Sequence, residues 1–331
     1  MNSFLLDIRN LTVSFNTDDG FFQAVDDVSL HLERGEIVGL VGESGCGKSV
    51  TALSILKLLP SPPAVIEKGE IFFKGQNLLN LDSGQLRKVR GRAISMIFQE
   101  PLSALSPLQR IGQQLVETLQ LHENIPKKEA WDISKSWLEK VKIPDPAERM
   151  YAYPFQLSGG MQQRVMIAMA MMLEPDLIIA DEPTTALDVT IQARIFKLIR
   201  EMRQEKTSIL LITHDMGVIW EMCDRVLVMY ASKIVEEGGK DAIFEQPAHP
   251  YTRGLLNSIP RLSDHLGRLI AIPGQVPSPL NYPSGCHFRD RCMHAFDRCA
   301  QEQPDLFDLD DGHKAACFIA SNLINKEYIR Q

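Results

Sequence analysis

The run Gly42-Glu43-Ser44-Gly45-Cys46-Gly47-Lys48-Ser49 limits what this chain can fold into more than any other feature. It fits G-x-x-x-x-G-K-[ST] and lies between a short apolar run at 36–41, which predicts a strand, and helical spacing over 48–59 that Pro60 stops. Strand, glycine-rich loop and helix in that order make a phosphate cradle. The glycines let backbone N–H groups point at phosphate oxygens, and the helix N-terminus adds partial positive charge. Lys48 is then expected to reach the β- and γ-phosphates, and the Ser49 hydroxyl to ligate Mg²⁺. The loop and the helix turn that follows it are thus expected to hold a nucleotide through Gly42, Ser44, Gly45, Cys46, Gly47, Lys48, Ser49 and Val50. Many side chains would serve at the position of Cys46. Without the flanking strand and helix, the same residues would be an ordinary flexible turn.

A second element is the apolar run Leu177-Ile178-Ile179-Ala180, which ends in Asp181-Glu182. Parallel sheets present ligands at their carboxyl edge. Asp181 is therefore expected to hold Mg²⁺ through water, and Glu182 to polarise an attacking water as general base; alone, the pair could merely end a strand. His214 follows a predicted strand at 208–213, where it either contacts a γ-phosphate or is an ordinary structural histidine.

The remaining pattern is α/β. Partly alternating β-rich runs at 5–15 and 24–32, separated by Thr17-Asp18-Asp19-Gly20, predict an antiparallel hairpin. Short strands are expected around 70–73 and 93–98. Apolar positions from Ile111 through Leu115, Leu119, Trp131 and Leu138 to Val141 carry helical periodicity, so a helical insert is expected over about 107–172. From Gly159 helix and strand alternate, with helices at 161–173 and 191–205 and strands at 177–181, 208–213 and 225–230. That order argues for a parallel sheet with helices on both faces. Beyond Pro260 the chain turns to loops rich in proline, glycine and cysteine, which divides it into a nucleotide-binding domain at 1–259 and a small appendage at 260–331.

Composition removes several function classes. The net charge of −7 gives no long-range attraction to nucleic-acid phosphates, so no nucleic-acid partner is expected. No apolar run approaches the roughly 20 residues that span a bilayer, and the start reads as no secretion signal, so the expected compartment is the cytoplasm. Of six cysteines, Cys286, Cys292, Cys299 and Cys317 crowd into the last fifty residues with the spacing C-x5-C-x6-C-x17-C. The short C-x2-4-C knuckle usual in structural zinc sites is missing. Four thiolates suit a [4Fe–4S] cluster, and zinc or uncoordinated buried cysteines are the alternatives. Cys223 reads as core.

The segment Leu157-Ser158-Gly159-Gly160-Met161-Gln162-Gln163-Arg164 opens a helix before the acidic strand. Here the chain resembles the ATP-binding-cassette family, whose signature is Leu-Ser-Gly-Gly-Gln; Met161 replaces the glutamine and leaves the Ser-Gly-Gly contact intact. The resemblance implies that Ser158, Gly159 and Gly160 form a second phosphate cradle, completing the ATP site of an opposite subunit. It also matches Gln99, after Met96-Ile97-Phe98, to the glutamine loop and a Mg²⁺ contact. Asp188 in Ala186-Leu187-Asp188 matches the loop after the catalytic glutamate, and His214 the switch histidine. The implied catalytic set is Glu182, His214 and Gln99. Phe15 is implied to stack on adenine, with Phe21 and Phe22 as competitors. The implied fold is an α/β P-loop NTPase with an antiparallel β subdomain, a helical subdomain and a cysteine-rich C-terminal appendage.

Within the family, Gln246-Pro247-Ala248-His249-Pro250-Tyr251-Thr252 and the cysteine-rich end resemble the oligopeptide and dipeptide importers, whose relatives also serve nickel and glutathione. This implies an ATPase that powers peptide uptake from the cytoplasmic face of a bacterial inner membrane, as a peripheral subunit. Its implied partners are a homologous second ATPase in a heterodimer, two transmembrane permeases and an extracytoplasmic solute-binding protein. The resemblance favours iron–sulfur over zinc at the four cysteines. Soluble cassette ATPases acting on DNA or ribosomes usually carry two cassettes or a very long coiled coil, and this chain has neither. A redox or iron sensor built on the cysteines is a third class.

Overall fold

The computed structural model describes residues 4–184, 189–259, 272–310 and 312–320. In chain order its strands are β1 (Leu6–Thr17), β2 (Gly20–Leu32), β3 (Ile37–Val41), β4 (Ala64–Phe73), β5 (Gln76–Asn77) and β6 (Ile94–Ile97). They continue with β7 (Leu177–Asp181), β8 (Ser208–Ile212), β9 (Arg225–Tyr230), β10 (Lys233–Gly239), β11 (Phe307–Asp310) and β12 (His313–Ala315). The chain forms two compact units, one from residues 1–32, 37–79 and 213–331, the other from 33–36 and 80–212.

In the first unit an antiparallel sheet has the order β2-β1-β4-β5. The β1–β2 hairpin closes at Thr17 opposite Gly20, where Thr17 Oγ1 donates to the Gly20 carbonyl at 3.0 Å. Leu6, Ile8, Leu11 and Val13 point from β1 into the core, opposite the buried Val25, Val28, Leu30 and Leu32 of β2. The unit's other strands run β11-β12-β10-β9-β3, with β3 and β9 parallel and the remaining pairs antiparallel. Every residue of β3 is buried, as befits a parallel strand covered on both faces.

The second unit holds the parallel run β6-β7-β8, with Ile94 opposite Leu177 and Leu177 opposite Ser208. All residues of β7 and β8 are buried. The helical stretch divides into helices Ile111–Gln120, Lys127–Lys140 and Pro146–Arg149. Pro126 stands just before the second without a side-chain capping bond, and Lys142 at φ 59° ends it.

Three of the segments that depart from the sequence pattern bear on the phosphate loop and its sheet. The helix after the phosphate loop ends at Ile55, ahead of Pro60. Lys57 takes the left-handed conformation at φ 49°, and the Leu58 and Lys57 amides donate to the Leu53 and Ser54 carbonyls at 2.9 and 3.0 Å. This pair of bonds is a Schellman closure, so local C-capping ends the helix before the proline does. The other two are β10 and the β11–β12 pair, which join residues 307–315 to the sheet of the phosphate loop through Glu236 opposite Ala315. Buried Glu236 and Glu237 hide β10 from an apolar-run reading.

Candidate nucleotide site

In the first unit β3 feeds the loop, and main-chain packing dictates where glycine stands. A Cβ at Gly42 (φ 154°) would lie 2.1 Å from the Met229 carbonyl oxygen, and one at Gly47 (φ 109°) 2.3 Å from that of Ala24. The loop closes around Lys48, which is 5% exposed and donates from Nζ to the Gly42 and Glu43 carbonyls at 2.8 and 3.0 Å. Ser44 and Gly45 are exposed at the tip, where a Cβ on Gly45 would meet nothing within 4 Å. Ser49 and Val50 are half-buried in the first turn of helix Lys48–Ile55. Cys46 is fully buried with its Sγ 3.7 Å from Lys48 Nζ, and burial pushes its thiol up despite the nearby ammonium. A glycine-lined main-chain cradle, a lysine and a helix-start hydroxyl fit a magnesium-nucleotide phosphate chain.

The second unit carries the acidic pair and the signature. Asp181 ends β7 at 6% exposure. Glu182 follows at φ 44°, its amide donating to the Ile212 carbonyl at 2.9 Å, so the chain turns sharply where the carboxylate leaves the strand. Gln99 is exposed after β6 and donates from Nε2 to Glu182 Oε2 at 3.4 Å. Two residues 83 positions apart, both expected in the catalytic set, thus meet. Ser158 caps helix Gly159–Met171, its Oγ accepting from the Met161 amide at 3.4 Å. A Cβ on Gly159 would meet nothing within 4 Å, leaving this helix start open. Sequence reasoning missed Gln163, which is 2% exposed and donates from Nε2 to the Pro183 carbonyl, tying the signature helix to the residue after Glu182. Its place inside the signature was the available signal.

His214 is exposed in the first unit, beside Asp215. Asp215, not His214, caps helix Met216–Met222, accepting from the Gly217 and Val218 amides at 2.8 and 3.3 Å. Phe15 pairs in register with Phe22, the two rings stacking at 5.5 Å, while Phe21 is 58% exposed. Ala186, Leu187 and Asp188 lie outside the described residues.

The cysteine expectation is corrected. Among the described residues no group of three or more His, Cys, Asp or Glu side chains could hold a metal ion, so neither iron–sulfur nor zinc stands at Cys286, Cys292, Cys299 and Cys317. Cys317 instead packs with Ala248, Ala315 and Ala320, flanked by Leu309 and Ile319, as a small hydrophobe. The Cys286 amide donates to the Cys299 carbonyl at 2.8 Å, so main-chain pairing brings these two segments together. Burial pushes the Cys286 thiol up to about 11, and those of Cys292 and Cys317 up as well.

A phosphate loop, an acid-ended parallel strand and a serine-capped glycine helix start define an ATP-binding-cassette ATPase. The ABC transporter family model matches residues 25–185, and a second, described as the oligopeptide/dipeptide transporter C-terminal region, matches 235–299. The chain is 48% identical over 97% of its length, and 96% of the relative's, to the "Probable peptide ABC transporter ATP-binding protein y4tR" of Sinorhizobium fredii. It is 47% identical to the oligopeptide transport ATP-binding protein OppD of Escherichia coli, over 95% of this chain and 93% of that one. A dimeric post-hydrolysis structure of the ATP-binding cassette MJ0796 with ADP and phosphate superposes with a TM-score of 0.63 at 26% identity, covering 71% of this chain and 98% of that one. The chain belongs to the ABC transporter family of ATP-binding proteins.

Proposed function

We propose that this chain is the ATP-hydrolysing subunit of an importer that carries peptides into a bacterial cell. The observation that carries the reading is the length of the similarity, which runs past the cassette through the oligopeptide/dipeptide C-terminal region to peptide-transport ATP-binding proteins. ATP binds through the cradle of Gly42, Ser44, Gly45, Cys46, Gly47, Lys48, Ser49 and Val50, with the Phe15 ring against adenine. Ser49, Asp181 and Gln99 would hold Mg²⁺, which neutralises phosphate charge when bound. Glu182 takes the proton of the attacking water, Gln99 orients that carboxylate, and His214 contacts the γ-phosphate. Ser158, Gly159 and Gly160 close on the nucleotide of a second, homologous ATPase.

The motor shows, among its described residues, no helix long and apolar enough to cross a bilayer. In this reading it sits on the cytoplasmic face beneath two permeases, fed by an extracytoplasmic binding protein, with residues 1–259 as motor and 260–331 as assembly appendage. A groove of about 520 Å³ between helices of the second unit, lined by Arg110, Val116, Leu121, Trp131 and Tyr151, suits a cytoplasmic permease helix. The test is ATP hydrolysis by the reconstituted complex as the binding protein is supplied with peptide, glutathione or Ni²⁺. Stimulation by peptide is expected; stimulation by glutathione or Ni²⁺ alone would overturn the substrate assignment.

A further inference from the structure

Glu43 of the phosphate loop does not face solvent freely. The Arg291 guanidinium grips it as a fork, Nη1 donating to Glu43 Oε2 at 2.6 Å and Nη2 to Oε1 at 3.1 Å. The Arg291 side chain is 5% exposed and that of Glu43 30%. Its Nε donates to the Pro273 carbonyl at 2.8 Å, and its guanidinium lies 5.7 and 5.9 Å from the rings of Tyr230 and Phe288. Bidentate, aromatic-lined and desolvated, this is the geometry for which arginine is chosen over lysine. Burial opposes the charge, but the bonds to Glu43 and Tyr230 hold the guanidinium above its ordinary range. The Tyr251 hydroxyl, from the helix that opens the tail, accepts from the Glu43 amide at 2.8 Å. A second route runs from His287, whose Nδ1 bonds the Ala231 carbonyl at 2.8 Å, to Ser232, whose amide donates to the Cys46 carbonyl at 3.0 Å.

A carboxylate one residue into a phosphate loop is unfavourable for binding a polyanion unless its charge is met. From the fork and the two routes we infer that Arg291 is a positioning residue for the nucleotide site: it neutralises Glu43 and fixes the loop's shape, placing ATP affinity under control of the C-terminal segment. The inference rests on ATP binding at this loop and is independent of the transported solute. Any partner that moves the segment around Arg291 would then change nucleotide affinity without touching nucleotide.

The test measures the dissociation constant of Mg-ATP for the full-length chain and three variants, with thermal unfolding followed alongside. Arg291→Met is expected to weaken binding about tenfold or more, as truncation of a desolvated charge partner does. Arg291→Lys keeps a charge but loses the fork, and should fall between. Adding Glu43→Gln to Arg291→Met removes the stranded carboxylate and should recover most of the affinity, which a merely structural arginine would not do. Arg291→Met binding within twofold of the unmodified chain, or a double variant no better than Arg291→Met, would overturn the inference. If Arg291→Met fails to fold, Arg291→Lys with and without Glu43→Gln decides it in the same way. Failure of the unmodified chain to bind Mg-ATP would count against the nucleotide site itself, not against the positioning role.

Discussion

The phosphate loop and the C-terminal segment beside it belong to one compact unit, yet opposite means hold them. The loop is fixed by its main chain: Gly42 and Gly47 pass against the Met229 and Ala24 carbonyls, and Lys48 bonds backbone oxygens. Side-chain networks fix the C-terminal segment. Glu236, at 0% exposure, accepts from the Ala248 and His249 amides at 2.6 and 3.0 Å and pairs with His313 Nε2 at 2.7 Å. Arg291 and Tyr251 join the two regions at Glu43. Each is therefore vulnerable to a different kind of change. Changes at the chemical residues should cost turnover without cost to the fold, whereas changes in titration or packing near the C-terminus should cost stability.

The largest expected effect sharpens the chemical side. Glu182→Gln keeps the shape and the bond distance to Gln99 but removes the base, so ATP turnover by the assembled transporter should fall by about 10²–10⁴, the usual worth of a general base. Mg-ATP binding and the unfolding midpoint should be unchanged. Turnover near that of the unmodified complex would reject Glu182 as the base and with it the assignment of chemistry to the acidic strand end.

Next in size is an effect of acid on the side held by side chains. His249 is 2% exposed and caps helix Pro250–Asn257, its Nδ1 accepting from the Tyr251 amide at 3.1 Å, which only the unprotonated nitrogen can do. Burial pushes its pKa down to about 4, with Arg253 acting in the same sense and Glu236 against it. The folded pKa lies below the ordinary value, so the unfolded chain binds more protons. The stabilisation is therefore present above pH 6.5 and lost as pH falls towards about 4. The loss should reach about 3 kcal/mol. His287, also lowered by burial, adds in the same direction. Denaturant unfolding at pH 7 and pH 4.5 measures it, and His249→Asn, which offers an uncharged acceptor, should flatten the dependence. An unchanged pH profile in that variant would remove His249 as the acid-sensitive point.

What the sequence disclosed follows the same division. Gly42, Gly47 and Lys48 were legible because a phosphate loop is main-chain geometry, and only glycine fits where a Cβ would meet a carbonyl. Strands β3, β7 and β8 were legible as unbroken apolar runs, the mark of parallel strands covered on both faces. By contrast β10 was not, because its buried Glu236 and Glu237 read as surface until their partners at 248, 249, 313 and 225 are known. Nor was the grip of Arg291 on Glu43, since 248 residues separate them and no local pattern encodes a long-range ion pair. The cysteines misled because spacing counts thiols but does not set the arrangement a metal needs: Cys292, Cys299 and Cys317 lie near enough to Cys286 to help raise its thiol, yet no metal-holding group forms among the described residues. Cys317 is held by its alanine neighbours instead.

The smallest expected effect tests that packing directly. Cys317 is 9% exposed among Ala248, Ala315 and Ala320. If the sulfur acts as a small hydrophobe, Cys317→Ala removes little buried surface and should cost about 1 kcal/mol or less. Cys317→Ser places a hydroxyl in an apolar cluster and should cost more, about 1–3 kcal/mol, unless it finds a partner. Cys299→Ser, at a half-buried site, should change the unfolding midpoint least. All three should leave the dissociation constant of Mg-ATP unchanged, because the Arg291 fork and the Tyr251 bond do not pass through these sulfurs. Equal losses for the alanine and serine variants at 317 would break the packing account. Weakened ATP binding in a folded Cys317→Ser chain would show that the region held by side chains reaches the phosphate loop by a route other than Arg291, Tyr251 and His287.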